Sequence, residues 1–547
     1  MRAKPQPEDY LLYILLAVVP FVFHTVSHFS VPYLSDDSLI TLRSARNFSD
    51  GLGMVFNPGQ FILANAGYLY IFIAGIYYTL FNPQAALHAT VLSNILFHCI
   101  TLVLIGRELV HLNPLALKRS AKISKWRAPA FRLAVLAGLC CLSLHVSPWV
   151  TGGDENQLFM LLTMYAFFKY THGKQKFAVW LAMLSLWVNP AGILVYFVLL
   201  FSSIFTDQRL RLSLTVPVIA LGLPWLLINY TCYNSLLPLS IDVARQTERM
   251  HLGNITNMLF SLMIGVKAGV AVLLPVILVP VLTIRFSPGL RSFAAFIALY
   301  LLLFMFSGVF MQTEQQAYII VFGWWVLAVA GFAALTESLA LSRLKTGPKT
   351  VVALLVTALA GLLFGKEAKH ITGEVQPALA YRYEAGMAHA AEVSEILVRS
   401  GMKKKGRVLV SEIGSVAYFN EVSAKGEGLY NLLNYQNDIR LVQPDFVYSD
   451  YAGRTSALVQ HVHALSGHSM AGTGIADDTQ ETALVLKKVR PAALVLSPVE
   501  YDANMKAGNL EHYSIAGISS VQELAESNKD IPGTSVPVEM YVMIRKK

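Results

Sequence analysis

The sequence predicts a polytopic α-helical membrane protein of about eleven spans, followed by a mixed α/β domain outside the membrane. Three observations carry this. First, 55% of the 547 residues are hydrophobic and only 14% are charged, whereas soluble chains are about 45–50% apolar and about 25% charged. Second, apolar stretches of spanning length recur through residues 1–365 and then stop. Third, the charge is divided: residues 1–365 hold 24 Lys/Arg against 13 Asp/Glu, and residues 366–547 hold 19 against 21. The net charge of +9 therefore belongs to the apolar part. It reports membrane topology rather than nucleic-acid binding.

In chain order the predicted spans are 10–29, 86–106, 132–149, 157–171, 176–189, 191–206, 212–229, 259–284, 292–311, 317–335 and 350–365. The first is read as a retained helix. No small-x-small cleavage site follows it, and it runs into a charged loop. The stretch 61–81 is also apolar, and the positive-inside rule decides its place. If 61–81 stays at the outer surface, the N-terminus and the loops 107–132, 169–176, 209–211, 285–291 and 343–349 share the cytoplasmic side with 19 of the 24 basic residues. If it crosses, the basic loop 107–132 faces outward. The reading is therefore eleven spans with the N-terminus inside, juxtamembrane helices within the external loop 30–85, and residues 366–547 outside.

The tail has soluble composition. Apolar runs predict strands at 407–411, 446–449, 483–489, 492–497 and 538–544, and helices at 384–399, 455–466 and 519–527. Cys99, Cys140, Cys141 and Cys232 have neither zinc-type nor disulfide-type spacing. Walker, Rossmann and zinc-protease motifs are absent, which argues against a soluble nucleotide-sugar donor.

Chemistry is sought on the outward side. It carries eight of the thirteen acids of the membrane part but only Arg43, Arg46, Arg245 and Arg249 as bases, with Lys267 inside a span. Asp36-Asp37 directly follow the first span, and Asp154-Glu155 follow the third. The two pairs are placed to converge on one cavity, where interfacial carboxylates suggest function; the alternative is solvated loop residues that simply obey topology. Arg43 and Arg46, three apart, share a helix face. Guanidinium forks suit phosphate, lipid headgroups or the neighbouring acids. His24 and His28, four apart at the outer end of the first span, read as interfacial or hydrogen-bonded to loop residues rather than as metal ligands. Trp149, Trp324 and Trp325 read as interfacial anchors.

The loop after the first span runs Ser35-Asp36-Asp37-Ser38, then Arg43-Ser44-Ala45-Arg46-Asn47, then Gly51-Leu52-Gly53-Met54-Val55-Phe56-Asn57-Pro58-Gly59. It resembles the first external loop of the GT-C superfamily of glycosyltransferases, in the branch of the terminal arabinofuranosyltransferases. Gly153-Asp154-Glu155-Asn156-Gln157-Leu158-Phe159 is similar to that branch's Gly-x-Glu-x-x-Leu-Phe. Tyr233-Asn234-Ser235-Leu236-Leu237-Pro238-Leu239 is similar to its Tyr-Gly-x-x-x-Pro-Asn, and Val410–Phe419 to the strand and turn that begin the external domain. The chain departs from the branch at Asn189-Pro190, Gln315-Gln316, Asn234 and Leu239.

The resemblance implies a GT-C-like fold and an extracytoplasmic glycosyltransferase of a bacterial cytoplasmic membrane. The donor would be a polyprenyl-phosphate sugar, with arabinofuranose as the specific expectation. The acceptor would be an envelope glycan or a surface protein such as a pilin. Inverting transfer needs one base, assigned to Asp36 or Asp37. Glu155 would position the acceptor, orient the base, or share a divalent cation (Mg²⁺, Mn²⁺ or Ca²⁺) with Asp36 and Asp37. A metal is one alternative among these, not a requirement. Arg43, Arg46, Arg245, Arg249 and Lys267 are candidates for the donor phosphate, and Asn57 and Tyr233 for substrate binding. The external domain would bind acceptor or cap the cavity. A transporter or flippase of lipid-linked saccharides is the alternative; inverted repeats with broken helices would mark it, and the sequence shows none. A non-catalytic adhesion protein is disfavoured by the Asp36-Asp37 loop.

Overall fold

A computed structural model describes residues 7–56, 67–111, 127–207, 214–233, 288–307, 318–330, 366, 369, 372–373, 376–400, 407–410, 431–433, 493–496, 498–520 and 539–545. Among these, residues 7–400 are helical and all strands lie beyond residue 406.

The helices are α1 (Pro7–Ser30), α2 (Asp36–Ser49), α3 (Tyr68–Leu80), α4 (Pro83–His111), α5 (Arg127–His145), α6 (Ser147–Thr151), α7 (Asn156–Thr171), α8 (Gln175–Leu186) and α9 (Gly192–Asp207). After α9, a π-helical segment Val218–Gly222 leads into α10 (Leu223–Tyr233). Then come α11 (Pro288–Ser307), α12 (Tyr318–Ala330) and α13 (Gln376–Arg399). Two helical stretches, Asp9–Ser30 and Pro83–Val110, are long and apolar enough to cross a bilayer; several of the others are shorter apolar helices of 10–17 residues. The predicted span 132–149 is divided into α5 and α6 at Val146. The predicted spans 259–284 and 350–365 lie outside the described residues.

Side-chain pairs sort the helix ends. At one end Arg132 Nε donates to Asp9 (2.7 Å), Glu108 pairs with His172 (2.6 Å), and the Gly289 amide donates to Thr171 Oγ1 (2.9 Å). At the other end His28 meets His88 (2.9 Å), the Leu69 amide donates to the Trp187 carbonyl (2.9 Å), and Gln376 donates to Ser147 (3.3 Å). α1 thus finishes where α4 begins, and α3 packs on α2 and α4. α13 also starts at this second end, and its Tyr383 and Met387 pack on the bundle core.

The bundle turns apolar side chains outward. On α1, Leu11, Ile14, Val18, Val22 and Val26 are about half exposed, while Leu12 and Leu16 are buried. An outer surface of this kind suits lipid, not water. Trp149 is not an interfacial anchor: it is buried against Tyr318, ring centroids 6.0 Å apart. Trp324 and Trp325 lie within α12, half-buried, with Trp325 beside His145. The four cysteines are free.

The strands β1 (Arg407–Val410), β2 (Asn431–Leu433), β3 (Ala493–Leu496), β4 (Tyr513–Ser520) and β5 (Glu539–Arg545) form one sheet in the order β2-β1-β3-β5-β4. β1 is parallel to β2 and β3, and β5 is antiparallel to β3 and β4. β1, β3 and β5 match predicted strands. The helix predicted over 519–527 is corrected at its start, since Ser519 and Ser520 pair with Met540 and Glu539 in β4. The serines and Ile518 satisfy a strand edge as readily as a helix face, and pairing with β5 decides. β2 and the helix Pro498–Lys506 are additions. α13 lies across β4: the Ser520 amide donates to Glu392 (2.9 Å), and a Cβ on Gly517 would sit 3.0 Å from Ile396. The predicted elements 446–449, 455–466 and 483–489 lie outside the described residues.

Candidate functional site

Ser35 begins the site. Its extended backbone stops the chain after α1, and its hydroxyl accepts from the Ser38 amide at 3.1 Å, a helix N-cap. Asp36 and Asp37 are therefore the first two residues of α2, at the positive end of its dipole. Residues seven apart on a helix return to nearly the same direction. Positions 36, 43 and 47 thus share a face of α2.

That face is held closed. Arg43 is 1% exposed, and its guanidinium carbon lies 4.6 Å over the Phe56 ring. Asn47 donates to the carbonyls of Val55 (2.8 Å) and Phe56 (3.0 Å), and its own carbonyl accepts from Leu52 (2.9 Å). The loop between turns on Gly51 (φ +77°) and Gly53 (φ +91°), the region glycine alone enters freely. Arg46 is half-buried one turn beyond Arg43.

The loop that carries the second acidic pair is bonded to the residue before the first pair. The Ser35 amide donates to the Gly152 carbonyl at 3.0 Å. Gly153 has φ +83°, and a Cβ there would lie 2.7 Å from Leu34 and 3.4 Å from Ser38. Only glycine lets the loop before α7 press this closely on the start of α2. Asp154 and Glu155 are 0% and 3% exposed. Asp154 Oδ1 accepts from the Asn156 amide (3.1 Å), and Glu155 occupies the N-cap of α7 without a side-chain capping bond.

Behind the loop, Tyr70 donates to the Gly153 carbonyl (2.7 Å). Asn94 donates both to Tyr70 (2.8 Å) and to the Asp154 carbonyl (2.7 Å). Burial, and then the neighbouring Asp154, raise the Tyr70 phenol above its ordinary value, so it remains a neutral donor. Tyr233 reaches in from α10: its hydroxyl donates to the Met54 carbonyl at 2.9 Å, and its ring stacks on Tyr68. Burial, with Cys232 adding to it, pushes the Tyr233 phenol up to about 12.

The structure therefore brings together the loops of Asp36, Asp37, Arg43, Arg46, Asp154, Glu155 and Tyr233. Asn57, Arg245, Arg249 and Lys267 lie outside the described residues. Among the described residues no three His, Cys, Asp or Glu side chains are gathered to hold a metal ion; Asp154 and Glu155 make two. His24 is bonded to Ser143 (2.8 Å) and Ser147 (3.2 Å) on α5 and α6, and His28 to His88 on α4. Their partners are helix residues, not loop residues. The site residues that sequence reasoning missed are Asn94 and Tyr70. Asn94 carried a signal: an amide in the middle of a long apolar helix.

No family model matches the chain, and no curated protein matches it. Among solved structures, the crystal structure of ArnT from Cupriavidus metallidurans in the apo state is similar, with 14% identity and a TM-score of 0.43. The likeness covers 98% of this chain and 97% of that one.

Proposed function

We propose that the chain is an integral enzyme of a bacterial cytoplasmic membrane. It moves a sugar from a polyprenyl-phosphate donor to an extracytoplasmic acceptor. The observation that carries this is the junction of the two acidic loops, Ser35 amide to Gly152 carbonyl at 3.0 Å. It sets the start of α2 beside Asp154 and Glu155 at the same bundle end from which α13 leads to the sheet. The resemblance of residues 35–59 and 153–159 to the GT-C arabinofuranosyltransferase branch supports the reaction class.

In the reaction, Asp36 or Asp37 takes the proton from an acceptor hydroxyl. The oxygen attacks the anomeric carbon, the bond from that carbon to the phosphate oxygen breaks, and polyprenyl phosphate leaves. Phosphate leaves without a strong general acid, so one base is enough and the configuration inverts. Glu155 holds the acceptor or orients the base. Arg43 and Arg46, with Arg245, Arg249 and Lys267, neutralise the departing phosphate. Asn57 and Tyr233 shape the substrate pocket. An all-oxygen set of Asp36, Asp37 and Glu155 suits Mg²⁺, Mn²⁺ or Ca²⁺; no step above depends on it. Arabinofuranose is the proposed sugar, and a glycan or a surface protein the acceptor.

The test is a panel of polyprenyl-phosphate sugars given to the purified full chain, following release of polyprenyl phosphate. Release with at least one donor is expected. No release with any donor, together with movement of lipid-linked saccharide across vesicles, would replace this reading with the transporter.

A further inference from the structure

Three side-chain amides are gathered around the Asp154 backbone. Asn94 of α4 donates to the Asp154 carbonyl, and Asn156 and Gln157 open α7 directly after Glu155. All three are buried, at 0%, 0% and 1% exposed. Asn94 keeps Oδ1, and Asn156 keeps both Oδ1 and Nδ2, with no hydrogen-bond partner among the described residues, whereas Gln157 is taken up by Tyr318 and His98.

The orientation of Asn94 is fixed by its neighbour. The Asp154 carbonyl can only accept, so the Asn94 NH₂ faces it and Oδ1 turns away. A buried amide with unmet bonds is costly and uncommon in a finished structure. Three such atoms next to the acidic pair point to a polar group that joins them in the working state.

The chemistry of the set selects that group. Two atoms accept and one donates, and none is charged. Phosphate has only acceptor oxygens and draws cations, which describes the arginines rather than these amides. A hydroxyl both donates and accepts, and a ring with several hydroxyls meets mixed neutral amides at both ends.

We infer that the amides of Asn94 and Asn156 seat ring hydroxyls of the transferred sugar, with Asn156 as the main specificity-determining residue. This rests on the glycosyl-transfer reading above. It adds a division of labour: arginines on α2 for the phosphate, amides at the start of α7 for the sugar.

The test uses the polyprenyl-phosphate sugar that the donor panel finds to be turned over, together with its monodeoxy analogues. Wild type and Asn156→Leu, which keeps the branched shape and removes the polarity, are compared for donor KM, kcat and thermal stability. For Asn156→Leu the expected result is a KM raised about tenfold, the scale of one lost neutral hydrogen bond, with stability unchanged or higher. One deoxy donor should lose about tenfold in wild type and nothing further in the variant. A marked fall in stability with unchanged KM would mean that the amide has internal partners, and would overturn the inference. An undiminished penalty for every deoxy donor in the variant would overturn it as well. If leucine prevents folding, Asn156→Ala carries the same kinetic comparison. Failure of wild type on the whole panel defeats the transferase reading and this inference with it; turnover with an unaltered variant defeats this inference alone.

Discussion

Replacing Gly153 by alanine should damage both stability and turnover, and Gly173 supplies the matched control. Both glycines have positive φ, +83° and +72°. An alanine held there costs about 1–2 kcal/mol in backbone strain at either position. They differ in their surroundings. A Cβ at 173 meets nothing within 4 Å, whereas a Cβ at 153 sits 2.7 Å from Leu34 Cδ2 and 3.4 Å from Ser38 Oγ. Leu34 is 4% exposed, so moving it off its rotamer adds about 1 kcal/mol. The larger effect is positional. Relief of the overlap pushes the Asp154-Glu155 loop away from Asp36-Asp37 and lengthens the bond from Ser35 to Gly152. A displacement near 1 Å costs about 100-fold in rate. Thermal unfolding and polyprenyl-phosphate release are measured for both variants in the same lipid. Gly153→Ala should lose more stability than Gly173→Ala, and it alone should lose about two orders of magnitude in kcat. Equal stability losses with full activity in Gly153→Ala would refute the argument that contact between the two loops makes the site.

Other outcomes follow from the same geometry. Asn47→Ala removes two bonds to the carbonyls of Val55 and Phe56 and should cost about 2 kcal/mol, read by thermal unfolding; no loss would mean that the loop holds itself. The buried Tyr233 phenol keeps its proton up to about 12, while an unfolded tyrosine releases it near 10. Stability should therefore be unaffected by this group below about pH 10 and fall as pH rises from there to about 12. Tyr233→Phe should flatten that part of the profile; an identical alkaline profile would contradict the burial argument. A cysteine placed at Lys118 should label only from the cytoplasmic side in whole cells, and labelling from outside would overturn the topology.

Much of this architecture was legible because it follows from solvent preference and charge. Apolar runs located α1, α4, α7, α8 and α9 within a few residues, since a helix in lipid must satisfy its own backbone bonds. The asymmetry of basic residues is the sequence's argument for keeping 61–81 on one side. The approach of the segment before α2 to the loop before α7 was readable from the sequence, because each follows a predicted apolar span. What holds them was not readable. The backbone bond from Ser35 to Gly152 and the close approach at Gly153 depend on tertiary packing, and no local pattern encodes them. Asn94 and Tyr70 act through the carbonyls of Asp154 and Gly153, distant in sequence. Trp149 resembled an interfacial anchor because it ends a span; Tyr318, far away in sequence, buries it. In the sheet, Ile518 with Ser519 and Ser520 fits a helix or a strand, and only the partner strand β5 separates the two.

The central claim is that a carboxylate at the start of α2 is the base for sugar transfer. The measurement that tests it most directly is the single-turnover rate of polyprenyl-phosphate release in Asp36→Asn and in Asp37→Asn, with donor binding measured alongside. One variant should lose at least about 100-fold in rate, the low end for a general base, while still binding donor. Full rates in both variants would contradict the account.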